Sequence, residues 1–124
     1  MDKKGLSEKK LKNLLVIWQK KLKLDDWSID LRIIEFNRKD YRQSGDIKVY
    51  PRKKQALILL TDSPFRDEEK VLVHELVHLL LWDFDRFSEK YIPQDKGRLK
   101  GAHKKYMEKL EITVDHITNI LFKK

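Results

Sequence analysis

The feature that most constrains the fold is an almost uninterrupted apolar segment near the middle of the chain. Between Val71 and Trp82 the only polar side chains are His74, Glu75 and His78. The segment is too long for a typical strand and, as a helix, it is apolar on nearly every side. A chain of 124 residues fits one hydrophobic core, so we expect this helix to lie inside a single domain spanning residues 1–124.

The segments before this helix have the spacing of one amphipathic helix and three short strands. Apolar residues recur at three- and four-residue steps from Ser7, a suitable N-cap, to Leu24, and the intervening lysines are expected on a solvated face. Alternation and short apolar runs then predict strands. The strands are expected at residues 27–36, 47–50 and 56–60.

Start signals and periodicity also delimit the helices of the second half. Ser63 followed by proline, with acidic residues close behind, predicts the start of the central helix, which we expect to run to about Trp82. A long connection, Asp83–Gly101, then leads to a final helix that begins near Ala102 and carries another apolar stripe. Together these elements predict the α+β class: an N-terminal helix, a small three-stranded sheet and two later helices.

Composition and charge exclude several classes of protein. The chain has no cysteine, which excludes disulfide scaffolds, thiolate zinc fingers, cysteine nucleophiles and iron–sulfur clusters. No apolar stretch reaches the length of a spanning helix or a signal peptide, so we expect a soluble, cytoplasmic protein, favoured as a monomer, with no membrane partner. A net charge of +8 attracts anions, but no nucleic-acid motif accompanies it.

The three polar residues of the central helix form the pattern HELVH. Residues four apart lie one turn apart, so His74 and His78 project from one face and can hold a single zinc ion. Glu75 is rotated by roughly 100° from His74, where it can act as general base on a zinc-bound water without being a ligand. The structural alternative is that both histidines are core residues bonded to backbone carbonyls and Glu75 is a surface residue.

A catalytic zinc site needs a third protein ligand. The metzincin pattern is excluded because Leu81 and Phe84 stand where it requires glycine and histidine. On the final helix, Glu111 lies roughly 80° from the centre of the apolar stripe and is favoured as the ligand. Four residues later, Asp115 could accept the far N–H of a ligand histidine, most plausibly His74.

Other residues remain alternatives to Glu111. Glu108 lies further toward the solvent side of the stripe, and His103 could be a ligand, a transition-state donor or an ordinary packed residue. Asp83 and Asp85 follow the central helix closely and are expected to terminate it rather than to bind metal.

The segments HELVH at 74–78 and EITVD at 111–115 resemble the gluzincins, zinc metallopeptidases with HExxH on one helix and a glutamate ligand on a later one. The order of elements is similar to the minigluzincins, and VLVHELVHLLL resembles small metallopeptidase-like proteins of bacteria and phages. Leu110 stands where larger gluzincins have asparagine. The resemblance implies a minimal zincin-like domain with an N-terminal backing helix, an HExxH helix and a C-terminal glutamate helix. It also implies that Ala56–Leu60 is an exposed edge strand along which substrate lies.

We therefore expect a zinc metalloendopeptidase with one catalytic ion, His74, His78 and Glu111 as ligands, Glu75 as base and Asp115 behind His74. Its partner would be a peptide or protein substrate, and the oxyanion could be stabilised by His103, Tyr106 or Tyr91. Two alternatives remain. One is a zinc-binding, catalytically latent interaction module, and the other is a protease-like domain recruited to nucleic acid by its basic surface.

Overall fold

The computed structural model describes residues 7–34, 45–61, 68–92 and 100–122. Within these ranges the chain forms four α-helices and a three-stranded mixed sheet, which confirms the predicted α+β class. In chain order the elements are α1 (Glu8–Lys21), β1 (Ser28–Ile34), β2 (Gly45–Tyr50), a 3-10 turn (Pro51–Lys53), β3 (Gln55–Thr61), α2 (Glu68–Leu80), α3 (Trp82–Glu89) and α4 (Lys100–Phe122).

Helix α1 packs behind α2. Its N-cap is Ser7, as predicted, and the Ser7 hydroxyl accepts a hydrogen bond from the Lys10 amide at 3.1 Å. On the buried face, the Trp18 indole N–H donates to a carboxylate oxygen of Glu69 on α2 at 2.5 Å. The helix ends before Leu24 because Lys23 adopts a left-handed backbone conformation. The lysines of α1 are exposed, as expected of a solvated face.

The three strands are arranged in the order β1-β3-β2, so β3 is central. It pairs in parallel with β1 and antiparallel with β2. The prediction that Ala56–Leu60 is an exposed edge strand is therefore wrong. Residues 58–60 are buried at successive positions, and a strand covered on both faces is expected to be apolar without alternation. Among the described strands, the edges of the sheet are β1 and β2.

Helix α2 lies at the centre of the fold, as its composition predicted. Leu72 and Leu76 are fully buried, and the helix contacts α1, α3, α4, β2 and β3. Its predicted start at Ser63 lies outside the described residues, and it ends at Leu80 rather than at Trp82. None of the helices in the described ranges is long and apolar enough to cross a membrane.

Helix α3 corrects the prediction of a long connection at Asp83–Gly101. Asp83 and Asp85 do not terminate α2; they lie in the first turn of α3, where the positive end of the helix dipole favours acidic side chains. On the neighbouring α4, Val114 of the predicted apolar stripe is fully buried, whereas Met107 is exposed. The adjacent Tyr106 turns instead toward α3, and this contact leaves Met107 on the outer side.

Candidate metal centre

His74 and His78 lie one turn apart on α2, on the face toward α4. Their ring centroids are 5.0 Å apart, as the four-residue spacing predicts. Their side chains are about four-fifths buried, with exposed fractions of 21% and 17%. The two imidazoles are therefore held together at the junction of two helices rather than on an open surface.

Glu111 on α4 bridges the two histidines. One carboxylate oxygen is 3.2 Å from His74 Nε2, and the other is 3.0 Å from His78 Nε2. Hydrogen bonds with His74 and His78 hold the pKa of Glu111 well below its usual range. The competing candidate Glu108 is exposed and has no contact with either histidine among the described residues. The structure thus brings together the favoured set of three residues.

Asp115 lies on the other side of the His74 ring. Its carboxylate oxygen is 3.0 Å from His74 Nδ1, so His74 has a carboxylate facing each of its ring nitrogens. The hydrogen bond with Glu111 raises the pKa of His74, and the negative charges of Glu75 and Asp115 act in the same direction. An Nδ1–H bonded to Asp115 leaves the Nε2 lone pair directed at the space shared with Glu111.

Glu75 is one of the few charged side chains buried in the described part of the protein, with an exposed fraction of 7%. Burial raises the pKa of Glu75 to about 7, although the neighbouring His78 and His74 act to lower it. No hydrogen bond or ion pair of the Glu75 carboxylate is found among the described residues. A carboxyl group with a pKa near neutrality can both accept and release a proton at physiological pH.

The three side chains fit a zinc ion in both type and spacing. Donor atoms from His74, His78 and Glu111 all lie within 4.8 Å of one another. Ligands at about 2.0–2.2 Å around a tetrahedral zinc stand roughly 3.3 Å apart, close to the two measured nitrogen–oxygen distances. The same distances suit hydrogen bonds from protonated imidazoles, so measured metal content decides between the two states.

The structural alternative considered for HELVH does not match this arrangement. His74 and His78 contact carboxylates of α4 rather than backbone carbonyls. Glu75 is buried rather than on the surface. Three ionisable groups of the most apolar helix are therefore gathered around one point.

The three candidate transition-state donors lie toward α3. The Tyr106 hydroxyl donates to a carboxylate oxygen of Asp85 at 2.6 Å, and partial burial together with this bond raises the pKa of Tyr106 to about 12. His103 Nε2 is 2.7 Å from a carboxylate oxygen of Glu89. Tyr91 is 73% exposed and stacks against a phenylalanine of α3. Among the described contacts, none of the three reaches the histidines of α2.

Two groups of residues near the site were missed by the sequence reasoning. Asp46 on β2 is close enough to Glu75 for its negative charge to oppose ionisation of Glu75. Asp85 and Glu89, one turn apart on α3, hold Tyr106 and His103 of α4. Their spacing on both helices is a usable signal once α3 is assigned as a helix. Nothing in the sequence near Asp46 indicates its position.

Comparisons of the chain with models of protein families, with curated proteins and with solved structures find no match.

Proposed function

We propose that this protein is a zincin-like, zinc-dependent metallopeptidase whose ligands are His74, His78 and Glu111. The observation that carries the proposal is the convergence of these three side chains from α2 and α4 beside a buried carboxylate, Glu75. Three protein ligands with an open fourth position are typical of catalytic rather than structural zinc sites. When bound, zinc would polarise a carbonyl and supply a water of lowered pKa.

The protein's own residues have separate tasks in this proposal. Asp115 accepts the Nδ1–H of His74 and so fixes the tautomer that presents Nε2 to the metal. The Glu111 carboxylate, already ionised at neutral pH, supplies the negative ligand. Both histidines sit on a helix that is immobilised by core packing on several sides, which keeps the ligand geometry fixed.

Glu75 is the proposed general base and acid. Its carboxyl is held in a largely dry environment, where it takes a proton from the attacking water and then gives it to the leaving amine. Because its pKa lies near 7, both directions of transfer cost little at neutral pH. A buried carboxylate without a salt-bridge partner has few structural reasons to be retained in an apolar helix.

The peptide would lie along β2 rather than β3. Among the described strands β2 has a neighbour on one side only, and it packs against α2. An extended peptide can pair with the backbone of such an edge strand. Main-chain pairing places the substrate beside the helix that carries Glu75.

The test has a metal arm and an activity arm. Purified protein should contain close to one zinc ion per chain by elemental analysis, with loss in Glu111→Ala and retention in the matched variant Glu108→Ala. Cleavage of casein or a peptide library should disappear in Glu75→Gln while zinc content persists. Absence of zinc binding, or cleavage that survives in Glu75→Gln, would refute the proposal.

A second candidate function, a zinc-binding interaction module without turnover, is favoured by the positions of the oxyanion donors. Tyr106 and His103 are both engaged by carboxylates of α3, so neither is free to stabilise an oxyanion in this conformation. Stoichiometric zinc in a protein that cleaves no member of a broad peptide library would support this second function over the first.

A further inference from the structure

Charge is distributed unevenly between the elements around the site and the rest of the protein. The chain as a whole has a net charge of +8, and α1 carries five lysines against one glutamate. In contrast, α2 has three glutamates against one lysine, and α3 has three acidic residues against one arginine, so each has a net charge of −2 with neutral histidines. The site therefore lies among acidic elements in a basic protein.

One further acidic residue reaches the site from the sheet. Gly45 starts β2 in close contact with α2, since a Cβ at this position would lie 3.0 Å from a methyl carbon of Val71. Val71 and Glu75 are one turn apart and share a face of α2. The close approach at Gly45 thus sets the next residue, Asp46, beside the part of α2 that carries Glu75.

Asp46 and Glu75 form an acidic pair with no internal counter-ion. Neither carboxylate has a hydrogen bond or an ion pair among the described residues, and Glu75 is more than nine-tenths buried. Asp46 itself is half-buried, and its charge acts on Glu75. Two like charges in a partly desolvated place favour a cation that approaches from outside.

We propose that Asp46 is a specificity determinant that selects peptides with a lysine or arginine close to the scissile bond, an inference that rests on the proposed peptidase function. A peptide paired with β2 presents the side chain opposite Asp46 on the same face as Asp46, at a Cβ–Cβ distance of about 5 Å. Side chains alternate along an extended peptide. The residue next to the cationic one therefore faces the α2 side, which places the basic residue near the reacting bond.

The experiment compares paired peptides that differ only in lysine against norleucine at each position around the cleaved bond. The wild-type enzyme, loaded with zinc, is expected to prefer lysine at one position. In Asp46→Asn the ratio of kcat/KM for the lysine and norleucine peptides should fall by roughly 10-fold, the factor that corresponds to about 1.4 kcal/mol. Using the ratio removes any effect that the substitution has on Glu75, because that effect is common to both peptides.

Two further variants keep the result interpretable. Asp30→Asn removes the same charge from β1, the opposite edge strand, and should leave the ratio unchanged. Asp46→Glu retains the charge and should retain the preference. Circular dichroism and the midpoint of thermal unfolding verify that each variant folds. A wild-type ratio near one, or an equal ratio in Asp46→Asn, would overturn the role of Asp46 while the peptidase function stands.

Binding separates failure of this inference from failure of the proposed function. If no peptide is cleaved, fluorescence anisotropy of the same labelled peptides still measures the preference for lysine. Tighter binding of the lysine peptide to wild type than to Asp46→Asn would support the acidic subsite and reject hydrolysis. Equal binding of both peptides by both proteins would overturn the subsite as well.

Discussion

The contact between Asp115 and His74 yields the most discriminating prediction for the metal centre. In Asp115→Asn the side chain keeps its size but loses the negative charge that faces His74 Nδ1 at 3.0 Å. Partners of this kind behind a ligand histidine typically change metal affinity by about 10- to 100-fold. Asp115 is 63% exposed, so water screens its charge, and we expect a loss near the lower end, roughly 10-fold or about 1.4 kcal/mol.

The affinity is measured by competition with a chromophoric zinc chelator at neutral pH. Glu108→Gln is the matched control, because it removes one negative charge from the same helix at an exposed position. Its zinc affinity should equal that of wild type. The reasoning about Asp115 is refuted if Asp115→Asn binds zinc within about twofold of wild type, or if Glu108→Gln loses as much affinity.

Three other predictions concern stability and charge. In the metal-free protein, lowering of the Glu111 pKa stabilises the fold above its ordinary value of 4.5, and the raised pKa of His74 stabilises it below 6.5; urea unfolding should show this contribution peaking between these values and flattening in Glu111→Gln. Leu76→Ala at a fully buried position should reduce the free energy of unfolding by about 2–5 kcal/mol, against less than about 1 kcal/mol for the half-exposed Leu80. If α1 contacts nonspecific DNA, replacing Lys9 and Lys20 by alanine should reduce the slope of log affinity against log salt by about 2 in anisotropy titrations; an unchanged slope would exclude that face.

The sequence was sufficient for elements that local patterns specify. The N-cap at Ser7 and the buried helix α2 depend on residues that are close in sequence, and both were predicted. The order of the strands depends on which edges pair at long range, and it was predicted incorrectly for β3. The apolar run of β3 contained a usable signal, because a continuous run is more typical of a central strand than of an edge.

The candidate site divides in the same way. His74 and His78 follow from a one-turn spacing, and the contacts of Glu111 and Asp115 were anticipated from helical geometry on α4. The position of Asp46 relative to Glu75 results from the packing of β2 on α2, which no local pattern encodes. Similarly, the partners of Tyr106 and His103 could not be predicted while α3 was assigned to a connection.

Glu75 links the chemistry of the site to the stability of the fold. Its pKa is raised from 4.5 to about 7, so ionisation of this residue destabilises the metal-free protein increasingly as the pH rises from about 4.5 to about 7, and fully above that. A shift of about 2.5 units corresponds to roughly 3 kcal/mol. We therefore expect Glu75→Gln to stabilise the metal-free protein by up to about 3 kcal/mol near pH 8 and by much less near pH 5.

Chemical denaturation of both proteins without metal, across that pH range, measures the difference. Stabilisation by a substitution that also abolishes cleavage would mean that the carboxylate is retained for function at the expense of stability. Glutamine keeps the shape of the side chain, so repacking does not account for the gain. Equal or lower stability of Glu75→Gln near pH 8 would show that the carboxylate supports the fold, and the argument for its role as a base would then rest on activity alone.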